Sequence, residues 1–338
     1  MEKRLFVVHT QYNLILATGM AKPVDDLILF RDFALTDELK TKLENCFDRC
    51  LYIDGNYPKK ELSAIEKDRK IQRDCQSISG FINHVYDEIL VVDDMCIQEM
   101  YALKCAFNLN KQVVMSWLED GTNAYFSNEV ISGGMGGTPL KRFIRKLYFS
   151  IKYGLGRFYD LGVCMGAHKC LTRIYVTFPG YVRAELQDKK QIDITQEQFK
   201  KGLDIMYTGE PVHMKENCVV IAVDKLDVYG NKLPIVNAQI KQIVELAKKE
   251  GEKVYCKYHP RETEKMEALI ETEELNSKIA MEYYLTNTTA KCMTVVGVMS
   301  TALQTAKKLG YEVISLASSV GTNKNAIDFY RSIGIKIK

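Results

Sequence analysis

The sequence has few histidines and little excess charge, and it has no long apolar run. No stretch approaches the roughly 18 consecutive apolar residues that a membrane-spanning helix needs. The 338 residues carry a net charge of only +3, which is too small to indicate a nucleic-acid-binding protein. The five histidines are spread along the chain, and no Cys-x-x-Cys pair or Asp-x-Asp triplet occurs. We therefore expect no bound metal.

The amino-terminal segment lacks the pattern of a secretory signal. Lys3 and Arg4 precede apolar residues, but the polar residues 9–13 interrupt that run and no small-residue cleavage site follows. The ten cysteines are scattered, and several lie in apolar strands, so we interpret them as reduced packing residues. Both observations predict a cytoplasmic protein.

Short apolar strands alternate with amphipathic helices along most of the chain, which is typical of a parallel, doubly wound α/β sheet. The length is sufficient for two domains, and a second series of strands and helices begins near Cys218. We therefore predict an α/β fold of the GT-B type, in which two Rossmann-like domains, residues 1–190 and 191–338, face each other across a cleft. The predicted strands are residues 4–9, 26–30, 49–53, 88–92 and 112–117 in the first domain, and residues 218–224, 253–258, 292–298 and 312–316 in the second.

Two strands of the second domain end in residues that suit a phosphate. Strand 253–258 ends at His259-Pro260, and strand 292–298 leads to Ser300-Thr301 at the start of a helix that stops at Gly310. Hydroxyl groups, backbone N–H groups and the positive end of a helix dipole together hold a phosphate. A histidine leaving a neighbouring parallel strand would reach the same phosphate. Each motif also has a plainer interpretation, since Ser-Thr can simply cap a helix and His-Pro can simply make a turn.

Other stretches of the sequence predict local structure near these motifs. Thr263 can cap a helix whose first turn contains Glu264. Residues 132–139 (SGGMGGTP) are typical of a flexible loop that borders an active site. In the segment that follows, six basic residues alternate with aromatic residues. They are Lys141, Arg142, Arg145, Lys146, Lys152 and Arg157. A basic amphipathic helix of this kind can rest on an anionic membrane surface, or it can be a solvated helix face.

An acidic triplet, Glu119-Asp120-Gly121, follows strand 112–117 in the first domain. Two adjacent carboxylates on a loop disfavour each other's ionisation and raise one pKa, which suits a general base. The alternative is an acidic turn that ends at Gly121. Asp224 and Asp227, which follow the first strand of the second domain, are rivals for the role of base.

The order of these motifs resembles that of bacterial sialyltransferases. In those enzymes an [Asp/Glu]-[Asp/Glu]-Gly motif, a His-Pro motif and a Ser/Thr pair follow one another, as Glu119–Gly121, His259-Pro260 and Ser300-Thr301 do here. The chain is most similar in size to the lipooligosaccharide and capsule sialyltransferases of glycosyltransferase family 52. The resemblance implies inverting, metal-independent transfer of sialic acid from CMP-sialic acid to a terminal galactose of a surface glycan, without a cofactor.

The resemblance also implies a role for each candidate residue. Asp120, with Glu119 beside it, would take the proton of the acceptor hydroxyl. His259 would donate to the departing phosphate, by a hydrogen bond or by full proton transfer, while Ser300 and Thr301 would hold the phosphate oxygens. Glu282 would accept hydrogen bonds from the ribose hydroxyls, unless it is a surface acid ahead of a strand.

Two other functions stay open. The chain could be a GT-B transferase that uses CMP-Kdo or a nucleoside diphosphate sugar, or a non-catalytic nucleotide-binding α/β protein. Few basic residues stand near His259 beyond Lys257 and Arg261, which favours a monophosphate. The resemblance further suggests a homodimer, and the basic segment suggests peripheral contact with the inner face of the plasma membrane. No nucleic-acid partner is expected.

Overall fold

The computed structural model describes residues 2–55, 62–126, 139–160, 164–207, 209–321 and 324–338. The chain divides into two compact units, Met1–Met206 and Tyr207–Lys338, and each unit is built on one parallel β-sheet. Among the described helices, none combines the length and the apolar character needed to cross a membrane. The predicted glycine-dense loop lies outside the described residues, except for Pro139, which begins a helix.

The first domain contains a seven-stranded sheet with the strand order β3-β2-β1-β4-β5-β6-β7. The central strands β1 and β4 are completely buried, which is typical of parallel sheets because helices cover both of their faces. The strands are β1 (Arg4–Val8), β2 (Asp26–Arg31), β3 (Arg49–Asp54), β4 (Glu88–Val91), β5 (Val114–Leu118), β6 (Arg173–Val176) and β7 (Lys190–Asp193).

In the described part of the first domain, six α-helices connect or flank these strands, and three of them begin with a side-chain cap. Thr10 caps the first helix by accepting from the backbone N–H of Asn13, and Ser63 forms a capping box with Glu66 at the third. The helices are α1 (Gln11–Met20), α2 (Asp37–Cys46), α3 (Ala64–Phe81), α4 (Ile97–Leu109), α5 (Pro139–Lys152) and α6 (Gln196–Tyr207).

Helix α6 packs closely against α1 through two glycines. A Cβ atom at Gly19 would lie 2.0 Å from the carbonyl oxygen of Gln198, and one at Gly202 would lie 1.9 Å from the carbonyl oxygen of Ile15. Because α6 is held by this contact, and because β7 pairs with β6, residues 191–206 belong to the first domain. The structure therefore places the domain boundary after Met206, later than the predicted division after residue 190.

The second domain contains a six-stranded parallel sheet with the strand order β10-β9-β8-β11-β12-β13. Its strands are β8 (Asn217–Val223), β9 (Lys253–Tyr258), β10 (Glu273–Glu274), β11 (Cys292–Gly297), β12 (Glu312–Ser315) and β13 (Lys336–Ile337). Its helices are α7 (Leu233–Lys249), α8 (Met281–Asn287), α9 (Thr301–Lys308) and α10 (Lys324–Ser332). One exposed thiol, Cys292, stands at the beginning of β11, and all ten cysteines of the chain are free.

The predicted helix at Thr263 is wrong. The carboxylate of Glu262 accepts hydrogen bonds of 2.8 Å from the backbone N–H groups of both Thr263 and Glu264, which stabilises a non-helical turn. The chain then forms only a short 3-10 helix, Glu267–Leu269. The plainer interpretation of Glu282, a surface acid ahead of a strand, is also wrong, because Glu282 lies in the first turn of α8.

Candidate functional site

The central strand of the second sheet, β8, marks the point at which the strand order reverses. Strand β9 pairs with one side of β8 and β11 with the other, and ligands of open α/β sheets bind beside the carboxyl ends of strands at such a point. Three candidate residues follow these three strands: Asp224 after β8, His259 after β9 and Ser300 after β11. The strands that carry His259 and Ser300 were expected to be neighbours, but β8 separates them and places Asp224 between them.

His259 lies in a tight turn that fixes its ring. The backbone N–H of Glu262 donates to the carbonyl oxygen of His259 (2.9 Å), and Pro260 occupies the second position of this turn, which its fixed φ favours. The backbone N–H of Arg261 donates to Nδ1 of His259 (3.1 Å). Because Nδ1 accepts this bond, the proton of the neutral ring is on Nε2, where it can be donated to a ligand.

Glu262 connects the turn at His259 to the loop that follows β8. Its carboxylate accepts a hydrogen bond of 2.6 Å from the backbone N–H of Leu226. Together with the bonds to Thr263 and Glu264, this contact ties two loops of the candidate site to one side chain, and these backbone donors hold the pKa of Glu262 below its usual value.

Ser300 is the N-cap of α9, and Thr301 is the first residue of that helix. The Ser300 hydroxyl accepts from the backbone N–H of Ala302 (3.2 Å) and still has a proton to donate. Both residues are half-buried, and the helix N-terminus adds a positive dipole end. At the end of β11, a Cβ atom on Gly297 would lie 3.1 Å from the carbonyl oxygen of Ala222, so glycine permits the close pairing with β8 that brings α9 to this edge.

Asp224 is half-buried, and its polar groups contact two neighbouring loops. Its backbone N–H donates to the Tyr229 hydroxyl (3.1 Å), and its carboxylate accepts from the backbone N–H of Met299 (3.4 Å). Burial raises the pKa of Asp224, whereas the contacts with Met299 and Tyr229 act in the opposite direction. The other rival base, Asp227, is exposed and pairs with Lys225. Asp224 therefore links the loops after β8 and β11.

Glu282 lies in the first turn of α8 and interacts electrostatically with Lys257, the penultimate residue of β9. Burial raises the pKa of Glu282 and lowers the pKa of Lys257, because it disfavours the charged form of each group. The Lys257 ammonium also donates to the carbonyl oxygen of Ser277 (3.4 Å). The strand that carries His259 thus also positions a cation beside the candidate carboxylate Glu282.

In the first domain, Glu119 is completely buried. It accepts from the hydroxyls of Tyr12 (2.5 Å) and Tyr125, and from the backbone N–H (2.9 Å) and hydroxyl (2.8 Å) of Thr177. Burial raises the pKa of Glu119, although the hydroxyls that donate to it act in the opposite direction. The expectation that Glu119 acts beside the base is corrected, since its side chain is enclosed and holds the loop after β5.

Asp120 is half-buried at the carboxyl end of β5, where its carboxylate accepts from the Asn13 amide (3.2 Å). Gly121, the next residue, has a φ of 56°, a left-handed conformation that favours glycine. It begins a short 3-10 helix, Gly121–Ala124. The glycine of the triplet thus turns the chain immediately after Asp120, and α1 supplies the amide that orients the carboxylate.

A second charged cluster lies at the reversal point of the first sheet, between β1 and β4. His9 follows β1 and contacts Glu99 (2.5 Å) and Asp32 (3.3 Å), and its ring stacks on Phe30 at 4.4 Å. Burial opposes a charge on His9, but the two carboxylates outweigh it and raise the pKa of His9 to about 10. Asp93 follows β4 in the same cluster.

Asp93 is half-buried and stands close enough to Glu99 and Asp120 to sense both charges. Burial, and then the Glu99 carboxylate, raise the pKa of Asp93 to about 6, and Asp120 adds to this shift. A carboxylate whose pKa is near neutrality at a sheet reversal point is a further functional candidate.

A cavity of about 940 Å³ opens beside the carboxyl ends of β2 and β3. Its lining includes the basic residues Arg31, Lys70 and Arg73, the acidic residues Asp54 and Asp74, and the aromatic residue Tyr52. Arg31 pairs with Asp54, and Lys70 pairs with Asp74 (2.7 Å). With three basic and two acidic residues, the lining has a net charge of +1 beside an aromatic residue, a combination that can hold an anionic sugar.

The sequence profile of the alpha-2,8-polysialyltransferase family (POLYST) matches residues 52–318, which is most of the chain. The chain belongs to this family. The predicted sialyltransferase is thereby confirmed at the level of the family, while the narrower assignment to glycosyltransferase family 52 stays a prediction. No curated protein sequence matches the chain.

Solved structures similar to this family member share its fold at low sequence identity. UDP-GlcNAc 2-epimerase from Methanocaldococcus jannaschii has a TM-score of 0.56 at 12% identity, over 100% of this chain and 89% of that one. A UDP-glucosyltransferase from Polygonum tinctorium has a TM-score of 0.52 at 10% identity, over 99% and 84% of the two chains. These similarities confirm the predicted GT-B type of α/β fold.

Several residues of the candidate site carry no recognised signal in the sequence. Glu262 and Tyr229, which join the loops of the second domain, are among them. His9 and Asp93 each follow a buried strand, and this position in the sequence is the signal that could have identified them as candidates. In the second domain, one edge of the sheet brings together four candidate residues: Asp224, His259, Ser300 and Thr301. In the first domain, the corresponding edge of the sheet carries Glu119, Asp120 and Gly121. The candidate residues thus form one set in each domain.

Proposed function

We propose that the chain transfers sialic acid from CMP-sialic acid to a glycan acceptor, with inversion at the anomeric carbon. In this reaction the acceptor oxygen forms a bond to that carbon, the bond to the CMP phosphate breaks, and a base takes the proton of the acceptor hydroxyl. Membership of a sialyltransferase family supports the reaction class. The observation that carries the proposal is the placement of His259 and the α9 N-terminus at the same edge of the second sheet.

In this proposal the second domain binds CMP through its phosphate. Ser300 and Thr301 hold phosphate oxygens with their hydroxyls and with the N–H groups of the first turn of α9. His259 donates a hydrogen bond from Nε2–H as negative charge develops on the departing phosphate, which stabilises the transition state more than the ground state. The bond from Arg261 to Nδ1 supports hydrogen-bond donation by the neutral ring over full proton transfer.

Glu282 is proposed to accept hydrogen bonds from the ribose hydroxyls of CMP. Its position in α8 and its partly buried state support this role, because a carboxylate that is sheltered from water binds hydroxyl groups more strongly. Lys257, on the strand that carries His259, keeps a compensating positive charge nearby.

Asp120 is the proposed base, and Glu119 positions the loop that carries it. Asp120 is half-buried with its carboxylate held by an amide, whereas Asp224 is engaged in linking two loops and Asp227 is paired with Lys225. A carboxylate beside the departing phosphate would also repel it, which disfavours Asp224 in a catalytic role. Metal independence is part of the proposal, since His259 and a helix terminus can stabilise the phosphate charge.

Two acceptors are candidates. Terminal galactose follows from the resemblance to lipooligosaccharide and capsule sialyltransferases. A terminal sialic acid is the second candidate, because the matched family is named for α2,8-polysialyl transfer and because the lining of the cavity beside β2 and β3 has a net positive charge. A sialic acid acceptor carries a carboxylate, which Arg73 of this lining would bind. A homodimer and a cytoplasmic location complete the proposal.

The proposal is tested by measuring transfer from CMP-sialic acid to labelled lactose and to labelled sialyl-lactose, with EDTA present throughout. Wild type is compared with Asp120→Ala, Asp224→Asn and His259→Ala. We expect product from wild type, a large loss in Asp120→Ala and His259→Ala, and a smaller loss in Asp224→Asn. Product that survives Asp120→Ala would move the base to Asp224 or Asp93, and the absence of CMP binding by wild type would rule out the proposed donor.

The acceptor is assigned by a second comparison, with Arg73→Ala. If sialic acid is the acceptor, this variant raises KM for sialyl-lactose several-fold and leaves KM for CMP-sialic acid unchanged. If lactose is the better substrate and Arg73→Ala changes neither KM, galactose is the acceptor.

A further inference from the structure

Helix α5 presents a continuous stripe of apolar side chains to solvent. Its members recur three and four positions apart, so they lie along one side of the helix. They are Phe143 (63% exposed), Ile144 (56%), Leu147 (52%), Tyr148 (55%) and Ile151 (72%), and we call them the outer stripe. The described residues include thirteen exposed large hydrophobic side chains, and five of these are in the outer stripe. Such a concentration marks an interaction surface, because single exposed apolar residues are ordinary whereas contiguous patches are not.

The outer stripe is not needed to hold the helix on the domain. The opposite side of α5 carries Phe149, whose ring is 6.0 Å from that of Tyr153 and 5.8 Å from that of Tyr159. Tyr153 and Tyr159 belong to a buried cluster that includes Met100 of α4. Helix α5 is therefore anchored by one aromatic side, and none of the described residues covers the outer stripe on its other side.

The charge of this segment indicates the chemistry of its partner. Residues 140–159 contain six basic residues and no acidic residue. Two of these six are neutralised by ion pairs, Lys146 with Asp160 (3.1 Å) and Lys152 with Asp68 (2.7 Å). The segment and these two partners together carry a net charge of +4, whereas the whole chain carries only +3. A surface that is both apolar and positively charged matches the boundary between anionic headgroups and acyl chains of a bilayer.

We propose that α5 docks this protein on an anionic membrane surface, with the outer stripe inserted among the lipid headgroups. The helix has 14 residues and is about 21 Å long, which is shorter than the roughly 30 Å hydrocarbon core, so it lies in the plane of the interface. A second copy of the chain fits this surface less well, because pairing two α5 helices would bring two positively charged segments together.

The proposal is tested by co-sedimentation of the full-length chain with vesicles, and the matched pair of variants is Ile151→Glu and Ile270→Glu. Both isoleucines are 72% exposed, but Ile270 is in the second domain and outside the outer stripe. The vesicles contain either phosphatidylcholine alone or phosphatidylcholine with phosphatidylglycerol, at low and high salt. A double variant, Arg142→Gln with Arg145→Gln, tests the contribution of charge.

Wild type and Ile270→Glu are expected to bind the anionic vesicles at low salt and to bind phosphatidylcholine alone weakly. Ile151→Glu should lose about tenfold or more in the vesicle partition coefficient, because a carboxylate replaces an inserted apolar side chain. The double arginine variant should lose about as much, because two positive charges near the anionic surface are removed. Transfer to a soluble acceptor should be unchanged in Ile151→Glu, which separates this proposal from the proposed reaction.

A measurement that does not depend on a disruptive substitution uses Tyr148→Trp. The only native tryptophan, Trp117, is fully buried, so a blue shift of emission and quenching by brominated lipids would report insertion of the new ring. The proposal is overturned if wild type does not bind anionic vesicles, or if Ile151→Glu and Ile270→Glu bind equally. It is also overturned if light scattering shows a wild-type dimer that Ile151→Glu converts to a monomer, since the stripe would then contact a second copy.

Discussion

At the scale of single residues, one backbone hydrogen bond decides which nitrogen of His259 meets a ligand. Because Arg261 donates to Nδ1, the ring offers Nε2–H as a donor and not as a base. If the ring acts only as a hydrogen-bond donor, a side-chain amide at this position replaces part of its function. An amide N–H group can donate a hydrogen bond but cannot change its charge.

The first prediction concerns this donor. His259→Ala should lower kcat by about 100- to 1,000-fold, the usual cost of removing one transition-state hydrogen bond. His259→Gln should retain an intermediate kcat, because the glutamine amide still donates. Steady-state kinetics at saturating CMP-sialic acid provide the measurement. Equal losses in the two variants would show that a proton, and not a hydrogen bond, is required.

His9 gives a second prediction, for stability against pH. Its folded-state pKa is raised from 6.5 to about 10 by Glu99 and Asp32, so the folded state binds a proton that the unfolded chain releases. This contribution to the free energy of unfolding is fully present below pH 6.5 and is lost as pH rises towards about 10. Urea unfolding of wild type and His9→Gln should differ most at pH 6 and least at pH 10. A difference independent of pH would contradict the charged pairing.

At the scale of secondary-structure elements, the contact between α1 and α6 depends on two glycines, which allow the helix backbones to approach. In Gly202→Ala the new methyl group would meet the carbonyl oxygen of Ile15, so the helices must separate. We expect a loss of about 1–3 kcal/mol in the free energy of unfolding, as for other overpacked contacts.

The matched control is Gly80→Ala in α3, where no described atom outside the adjacent backbone of the helix lies within 4 Å of the added Cβ atom. This change should stabilise the protein by about 0.5–1 kcal/mol, because alanine favours the helix. Thermal or urea unfolding measures both variants. A neutral Gly202→Ala would show that α6 packs less closely than described.

The elements that could be predicted are those with a strong apolar pattern. Strands β1, β4 and β8 read as continuous apolar runs because helices cover both faces of a parallel sheet. Strand β7, which has the sequence KQID and lies at a sheet edge, carries no such pattern and was missed. The false helix at Thr263 shows the opposite failure, since a side chain earlier in the chain satisfies the donors that a helix would have used.

The candidate site could be predicted only where it follows a strand along the chain. His259 and Ser300 were found because each comes after an apolar run. The position of Asp224 between them depends on the strand order, and the bond from Leu226 to Glu262 joins residues 36 positions apart. His9 and Glu99 are 90 positions apart. Contacts of this kind arise from the tertiary fold and leave no local pattern.

At the scale of the whole molecule, the two sets of candidate residues predict that the second domain binds CMP and that the first domain supplies the base. Ser300→Ala and His259→Ala should weaken CMP binding, while Asp120→Asn should leave the CMP affinity unchanged although it abolishes transfer. Thr36→Ala is the control for Ser300→Ala, since it removes an N-cap in the first domain. Calorimetric titration of CMP measures all four. A loss of CMP binding in Asp120→Asn would show that the first domain also holds the donor.

The exposed thiol at the start of β11 provides a place for a spectroscopic label. Burial raises the pKa of each of the other nine cysteines, and a raised pKa lowers the thiolate fraction that reacts. Brief maleimide treatment at pH 7 should therefore add one label, at Cys292, as peptide mass spectrometry would show. Because Cys292 and the candidate phosphate site lie at opposite ends of the same strand, a fluorophore there would leave the site open and could report a change in the second domain when nucleotide is added.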